Sequence, residues 1–346
     1  MTPSLLENEI GEQPAVIQRL LDRESGNVER IAGTITGTFD YVVIAARGTS
    51  DNAARYAKYL LGAHNQLQVA LATPSLFTLY AKPPNFSGAL VIGISQSGQS
   101  PDIAAVVREA SQQGRPTLAI TNQAGSPLAK SAHHNILLQA GEEKAVAATK
   151  TYTASLVSIA LLSCYLGRAG ADLAAIQQLP NLITKTLDNL RVPMQRVERY
   201  RYMDHCAVIG RGYNYATAYE IALKIKELTH IVAEPYSSAD FRHGPIGMVR
   251  EGFPVMLVGP SGSVYEDIKD LVQRLKELAC ELLVISDRQQ LLDQAQLAMQ
   301  LPSGVPEWLT PILAVLPGQL IGLNLARAKG LDPDQPRGLR KVTETW

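Results

Sequence analysis

The stretch from Ala89 to Asp102, ALVIGISQSGQSPD, indicates the class of fold that we expect for this chain. Residues Val91 to Ser95 carry no charge and include β-formers, which is typical of a strand buried on both faces of a parallel sheet. A serine-rich loop follows, and Ser100-Pro101-Asp102 is typical of the N-cap and first turn of a helix. The sequence therefore predicts a buried strand, a sharp turn and a helix in direct succession.

The loop in this stretch has the composition of an anion site. Side-chain donors come from Ser95, Gln96, Ser97 and Ser100, while Gly98 relaxes the backbone. The N–H groups and dipole at a helix N-terminus favour phosphate, and hydroxyls add donors without a fixed cation. A Ser/Gly-rich βα turn without a ligand fits the same residues, so both interpretations stay open here.

Composition limits the classes of function. The chain has 346 residues, 46% of them hydrophobic, which is enough for a core in each of two domains. Its 32 basic and 32 acidic residues cancel, so we expect a small-molecule partner and neither nucleic acid nor a membrane surface. The three cysteines are widely spaced in apolar segments, so we expect core thiols without disulfides, and no metal site. The N-terminus has no apolar signal core, and no apolar run reaches the ~18 residues of a membrane span, so we expect a cytoplasmic protein.

Strands alternate with helices along the first half, which predicts a doubly wound parallel sheet. A helical segment runs to about Arg30, and a helix covers Asp51 to Leu61 after a tight turn. The predicted strands are Tyr41–Ala46, Gln68–Ala72, Leu90–Ile94, Thr117–Thr121 and Asn135–Gln139.

The second half repeats this plan. The Arg47-Gly48 turn matches Arg211-Gly212 at a shift of 164 residues, and Ser97-Gly98 matches Ser261-Gly262 at the same shift. Matches in register indicate two copies of one sheet domain. Gly259 and Pro260 stand where the first copy has Ser95 and Gln96, so we expect one phosphate site per chain, in the first copy.

These patterns predict an α/β protein with two tandem, doubly wound, flavodoxin-like parallel sheets. The predicted bounds are a helical segment 1–30, a first domain 31–170, a helical linker 171–203, a second domain 204–330 and a tail 331–346.

Two groups in the second half could carry acid-base chemistry. Helical spacing puts Glu220, Lys224 and Glu227 on one face, where a cation beside a carboxylate can orient it for proton transfer. A solvent-exposed ladder of ion pairs explains the same spacing, and from the sequence alone we prefer that explanation. His243 lies in a Gly-Pro turn, which suits a working acid or base as well as a surface loop residue.

The segment Gly210 to Tyr215 begins like a dinucleotide fingerprint but has Tyr215 at the third glycine position, so we expect no NAD and no other cofactor.

Seven motifs in order resemble those of the double sugar-isomerase (SIS) domain family over nearly the whole chain, from Glu9 to Lys341. The similarity extends to the isomerase half of glutamine:fructose-6-phosphate amidotransferases and to stand-alone glucosamine-6-phosphate deaminases. The motifs are Glu9–Pro14, Arg47–Ser50, Ser95–Gly98, Ala147–Lys150, Leu223–Glu227, His243–Pro245 and Asp334–Arg337.

The resemblance implies a role for each matched position. Glu227 would shuttle a proton between C1 and C2 with Lys224 beside it, and His243 would open the sugar ring, reaching the neighbouring subunit's site in a homodimer. Lys341 falls where the synthase forms an imine with its ketose, so the tail would close the site. The implied substrate and phosphate contacts are Gly48, Thr49, Ser50, Ser95, Gln96, Ser97, Ser100, Val146 and Ala147.

The sequence departs from the synthase pattern at Arg47, where a cysteine is expected, and at Ala148, where a serine is expected. The chain also begins Met-Thr, so we expect no glutaminase activity and no nitrogen from glutamine. The expected reaction is glucosamine 6-phosphate and water to fructose 6-phosphate and ammonia. The alternatives are a fructosamine-6-phosphate deglycase, a galactosamine-6-phosphate deaminase, or a sugar-phosphate-sensing regulator without catalysis.

Overall fold

The computed structural model describes residues 3–167 and 170–341, in which two five-stranded parallel sheets each carry flanking helices. The chain forms two compact units, and each unit is discontinuous in sequence. The first to be described, which we call the serine-loop unit, comprises 13–143, 150–179 and the described residues 340–341. The second, which we call the helix-ladder unit, comprises the residues up to Glu12, 144–149 and 180–339.

The sheet of the serine-loop unit has the strand order β2-β1-β3-β4-β5, with every neighbouring pair parallel. β3 is buried along its whole length, because helices cover both faces of a parallel sheet. The strands are β1 Tyr41–Ala45, β2 Gln68–Leu71, β3 Ala89–Ile94, β4 Thr117–Thr121 and β5 His134–Leu137.

The sheet of the helix-ladder unit has the order β10-β9-β8-β6-β7, which is the same topology read from the other edge. Its strands are β6 His205–Gly210, β7 Val232–Ser237, β8 Pro254–Val258, β9 Glu281–Ser286 and β10 Leu297–Gln300. Order 2-1-3-4-5 is the flavodoxin-like arrangement, so the predicted fold class is confirmed.

Helices connect these strands and also cover the stretch of sequence that joins β5 to β6. They are α1 Leu5–Gly11, α2 Gln13–Ile35, α3 Thr49–Asn65, α4 Ser75–Thr78, α5 Pro101–Gln112, α6 Pro127–Ser131, α7 Lys150–Gly167, α8 Gly170–Gln177, α9 Leu179–Met194, α10 Asn214–Thr229, α11 Ser238–Arg242, α12 Tyr265–Glu277, α13 Gln289–Leu292 and α14 Thr310–Ala328. Short 3₁₀ turns cover Val197–Tyr200, Pro245–Met248 and Glu307–Leu309.

The five strands predicted in the first half are all present, and their ends differ from the predicted ones by at most two residues. The predicted duplication is also present at the level of whole elements. Tyr41 opens β1 and His205 opens β6, so these strands start 164 residues apart, the shift already seen at the Arg-Gly turns. The domain bounds drawn from sequence remain predictions, because the two compact units interleave along the chain.

The helix α14 packs beside α10 within the helix-ladder unit. Together with the preceding turn it is long and apolar enough to cross a membrane, which corrects the expectation that no apolar run has that length. Nearly all of that stretch is buried, so it has the character of a core helix. Gly318 and Gly322 let α10 approach closely, since a Cβ at these positions would overlap Ile221 and Leu228 of α10.

Candidate functional site

In the sheet of the serine-loop unit, β2 lies on one side of β1, whereas β3, β4 and β5 follow on the other side. The strand order therefore reverses between β1 and β3, which is the switch point of the sheet. In open α/β sheets, ligands bind at the carboxyl ends of the strands that flank this switch point. The loops that leave those two ends are Arg47–Ser50, after β1, and Ser95–Ser100, after β3. The topology therefore brings both sequence-predicted binding loops to one end of one sheet.

The loop after β3 is closed by Ser95. The amide of Gly98 donates to the carbonyl of Ser95 at 3.2 Å and to its hydroxyl at 3.1 Å. The hydroxyls of Ser95 and Ser100 lie 3.5 Å apart. Ser100 is the N-cap of α5, as predicted, but its side chain makes no capping hydrogen bond within the described residues. Two hydroxyls thus converge at the start of a helix, which is an arrangement suited to an anion.

Gly98 fixes the path of this loop. Its φ of 62° lies in the left-handed region, and a Cβ there would overlap the side chain of Ser126. Only glycine satisfies both conditions, because it has no Cβ.

The loop after β1 carries an ion pair at its first residue. Nε of Arg47 donates to Oδ2 of Asp102 at 2.9 Å, and the Asp102 side chain has no exposed surface. Gly48, with φ 54°, is the N-cap of α3, so Thr49 and Ser50 lie in the first turn of that helix and are partly exposed.

The matching loop of the helix-ladder unit is filled by carboxylates of the chain itself. Asp287 accepts hydrogen bonds from the amide and the hydroxyl of Ser261, both at 2.6 Å. Glu307 accepts from the amide of Ser263 at 2.7 Å. A phosphate would meet these negative charges at the same donors, which supports the expectation of a single phosphate site in the first copy.

The helix α10 carries the predicted Glu220-Lys224-Glu227 group, and the structure brings the three charges together. Nζ of Lys224 lies 3.5 Å from Oε1 of Glu220 and donates to Oε2 of Glu227. The preference for a solvent-exposed ladder is wrong: the side chain of Lys224 is 1% exposed and that of Glu220 is 0% exposed. α10 packs against both α14 and the sheet, and these two side chains are buried, whereas the side chain of Glu227 stays 22% exposed.

Buried charges of this kind are unusual in a protein interior unless they are paired or functional. In this group one carboxylate, Glu227, is both paired with an ammonium and reachable from solvent. Such a carboxylate can exchange a proton with a bound molecule while Lys224 holds its orientation.

His243 is exposed and ends the short helix α11. Its amide donates to the carbonyl of Asp240 at 3.1 Å, which fixes the backbone of the turn and leaves the imidazole at the surface. The role assigned to it from the resemblance remains a prediction.

The segment 144–149 belongs to the helix-ladder unit. Ala147 lies in the same apolar cluster as Leu228 of α10, and Val146 beside it is partly exposed. Glu9 of α1 holds the segment, because its buried carboxylate accepts hydrogen bonds from the amides of Lys144 and Ala145. Val146 and Ala147, two of the implied substrate contacts, and the predicted base Glu227 are therefore parts of one unit.

The tail is docked at two points. The carboxylate of Asp334 accepts hydrogen bonds from the amides of Leu5 and Leu6, both at 2.9 Å, and so caps α1. Nζ of Lys341 lies 2.8 Å from Oε2 of Glu143, which also accepts from the amide and hydroxyl of Thr151. The predicted tail residues 342–346 lie outside the described residues.

Sequence reasoning did not assign a role to Asp102, Glu143 or Glu9, which the structure places as buried partners of these groups. Asp102 could be found only as an acidic residue in the first turn of a predicted helix. Glu9 was noted only as the first residue of a matched motif, and its pairing with Lys144, like that of Glu143 with Lys341, joins residues 135 and 198 positions apart in the sequence.

The cysteines are core thiols, as predicted. Burial raises the pKa of Cys164 to about 12, that of Cys206 to about 12 and that of Cys280 to about 11. Such thiols carry almost no thiolate near neutral pH. Across the described residues, no group of three or more His, Cys, Asp or Glu side chains is arranged to hold a metal ion.

Comparison with known proteins identifies the fold's relatives. The sequence profile of the SIS domain matches residues 40–164 and 201–326. The glutamine–fructose-6-phosphate aminotransferase (isomerizing) of Pyrococcus horikoshii is 34% identical over 343 residues, which cover 96% of this chain and 56% of the relative. The chain thus spans a little over half the length of the curated relatives that it matches.

Solved structures are also similar to this chain over nearly its whole length. A protein of Silicibacter pomeroyi described as a phosphosugar isomerase superposes with a TM-score of 0.86 at 30% identity, covering 96% of this chain and all of that one. The glucosamine-6-phosphate deaminase of Thermotoga maritima superposes with a TM-score of 0.80 at 21% identity, covering 99% of this chain and 100% of that one. At that identity the second match shows a common fold.

Proposed function

This chain belongs to the SIS domain family, with two SIS domains in tandem, and on that premise we propose that it is a hexosamine-6-phosphate deaminase. The proposed reaction converts glucosamine 6-phosphate and water to fructose 6-phosphate and ammonia. The observation that carries the proposal is the Glu220-Lys224-Glu227 group, in which a reachable carboxylate is held by a buried ammonium. The deaminase of Thermotoga maritima, which shares the fold over its full length, agrees with this choice.

The phosphate would lie in the loop formed by Ser95, Gln96, Ser97 and Ser100, with Gly48, Thr49 and Ser50 at the adjoining helix start. These loops meet at the switch point of one sheet, where a phosphate gains hydroxyl and amide donors. The bound phosphate would hold the sugar in one orientation for the chemistry that follows.

The chemistry would run in three steps. His243 opens the pyranose by moving the proton of the C1 hydroxyl to the ring oxygen, which yields the aldehyde. Glu227 removes the proton from C2, the C1 oxygen gains a proton, and a 1,2-enaminol forms. Glu227 then returns its proton to C1 as the nitrogen loses one, which leaves a ketimine at C2.

Water then adds to C2 of the ketimine, and ammonia leaves to give the ketose. Lys341 would assist by transimination, in which its amine replaces ammonia at C2 before water releases the ketose. For that step the ammonium of Lys341 must give up its proton, and Glu143 is the carboxylate placed to accept it.

Release of ammonia is the direction that we propose. Free ammonia is scarce under ordinary conditions, so hydrolysis of the ketimine is the favoured outcome.

The test is ammonia release by the purified chain with glucosamine 6-phosphate, beside galactosamine 6-phosphate and a fructosamine 6-phosphate. We expect release from glucosamine 6-phosphate and a loss of at least about 100-fold in kcat for Glu227→Gln, with sugar-phosphate binding retained. Release from galactosamine 6-phosphate or the fructosamine instead would identify the deaminase or deglycase named above. Tight binding with no turnover of any substrate would indicate a regulator.

We further propose that the enzyme works in the cytoplasm as a homodimer in which His243 serves the site of the neighbouring subunit. The exposure of His243 agrees with a residue that acts outside its own chain. Light scattering that gives a fully active monomer would exclude this arrangement.

A further inference from the structure

Arg47 has the position of a phosphate ligand that the motif comparison does not assign. It follows the last residues of β1 and stands next to Gly48, the N-cap of α3. Its Nε atom donates to Asp102, the second residue of α5, and α5 begins directly after Ser100. Arg47 therefore lies where the two binding loops of the serine-loop unit adjoin.

The guanidinium of Arg47 is anchored by one nitrogen only. Nε lies 2.9 Å from Oδ2 of Asp102, and within the described residues Nη1 and Nη2 have no acceptor. The side chain is 51% exposed, so these two nitrogens can meet a ligand. A guanidinium presents its N–H groups in a rigid fork that matches phosphate oxygens, and an anchored fork loses less rotamer freedom when it binds.

The charge of Asp102, to which Arg47 is anchored, also affects the binding of a phosphate. The Asp102 carboxylate is fully buried and accepts a hydrogen bond from the amide of Ile103 at 2.9 Å. Alone, this negative charge would oppose a phosphate at the N-terminus of α5. Arg47 offsets that charge and adds donors of its own.

We infer that Arg47 binds the phosphate of the substrate through its terminal nitrogens, with Asp102 as its positioning residue. The inference rests on the proposed function, in which the ligand of this loop is a hexose 6-phosphate. It predicts that the chain binds the phosphate with the guanidinium of Arg47 as well as with the serine hydroxyls.

The experiment measures binding without turnover. Glucitol 6-phosphate has no carbonyl or amine to react, so its affinity by titration calorimetry reports recognition alone, and glucitol is the control for the phosphate. The variants are Arg47→Gln, Arg47→Lys, Asp102→Asn and the double variant Arg47→Gln/Asp102→Asn, each checked by near-UV circular dichroism for a native fold.

We expect Arg47→Gln to lower the affinity for glucitol 6-phosphate by about 10- to 100-fold, which is the range for the loss of a hydrogen bond to a charged group. Arg47→Lys keeps the charge but not the fork, so its loss is smaller, and it serves as the folded control if the glutamine variant is unstable. The double variant stays as weak as Arg47→Gln, because the direct contact is missing in both.

Two results would overturn the inference. One is wild-type affinity in Arg47→Gln. The other is recovery of wild-type affinity in the double variant, since that would mean that Arg47 only neutralises Asp102. Failure of the deaminase proposal looks different: the wild-type chain would bind glucitol 6-phosphate in an Arg47-dependent way and release no ammonia from any amino sugar.

Discussion

Nζ of Lys341 lies 2.8 Å from Oε2 of Glu143, whose side chain has no exposed surface. The pair joins the last described residue of the chain to the segment that precedes α7. Thr151, in the first turn of α7, donates to the same carboxylate through its amide and hydroxyl. The position of Lys341 thus depends on one buried acid that helix α7 orients.

Glu143→Gln should loosen the tail, because the charged hydrogen bond to Lys341 becomes a weaker neutral one. Hydrogen bonds to charged groups contribute about 1.5–3 kcal/mol, so we expect amide exchange around residues 339–341 to accelerate by about 10-fold or more. Hydrogen exchange followed by mass spectrometry measures this. Lys341→Met should give the same local acceleration, and unchanged exchange in both variants would contradict the role of the pair.

Lys224→Met should lower the free energy of unfolding by about 3–5 kcal/mol, because it removes the ammonium that faces the buried carboxylate of Glu220. Urea titration of the folded chain measures the change. The control is Lys224→Met/Glu220→Gln, which removes both buried charges and should recover most of the stability.

Activity measurements on these two variants distinguish a structural role of Lys224 from a role in catalysis. The double variant should stay inactive, since Glu227 has lost the cation that orients it. A stable and fully active double variant would show that Lys224 has only a structural role.

Gly98→Ala should damage the phosphate loop, because alanine must adopt φ near 62° and its Cβ would overlap Ser126. We expect a loss of more than about 1 kcal/mol in stability and weaker binding of glucitol 6-phosphate. Gly33→Ala is the matched control. Gly33 lies on the exposed face of α2 with open space around it, so alanine should be neutral or stabilise the helix by up to about 1 kcal/mol.

The three cysteines should resist thiol reagents in the folded protein. Burial raises their pKa to about 12, 12 and 11, so at pH 8 the reactive thiolate is scarcer than for an exposed thiol, and the sulfurs are also inaccessible. Reaction with an aromatic disulfide should be negligible before unfolding and should reach three thiols in denaturant.

The same raised pKa values predict how the free energy of unfolding changes with pH. The folded thiols hold their protons more tightly than the unfolded ones, so their contribution is complete below the ordinary thiol pKa and falls as the pH rises toward 11 and 12. A thiol that reacts quickly in the native protein would contradict both expectations.

Mixing two inactive variants tests the shared site. If His243 acts in the partner's site, a heterodimer of His243→Asn with Glu227→Gln contains one intact site. Random exchange should then restore about a quarter of wild-type activity, because half of the dimers are mixed and each has one of two sites intact. No recovery, with exchange of subunits verified by mass, would place both residues in the site of their own chain.

The sheets could be predicted because their signals are local. An uncharged strand such as Ala89–Ile94 and a loop with Ser100-Pro101 are predicted from a few neighbouring residues. The 164-residue shift between the Arg47-Gly48 and Arg211-Gly212 turns indicated the tandem plan. Ser100 as N-cap was predicted for the same reason.

The burial of charges could not be predicted, because it depends on distant segments. The spacing on its own helix indicates that Lys224 is exposed, but its side chain is buried on a helix that packs against the sheet and against α14, which is distant in the sequence. The pairing of Arg47 with Asp102 likewise joins residues 55 positions apart in the sequence, across two strands of the sheet order.

The capping of α1 by Asp334 has a consequence for the order in which the chain is made. α1 leaves the ribosome before any strand of either sheet, yet its first turn is capped by a residue 329 positions further along the chain. When Leu179 has been made, the main body of the serine-loop unit is present, whereas the helix-ladder unit still lacks its sheet and Asp334. α1 should therefore wait until all ten described strands have been made before it reaches its final place.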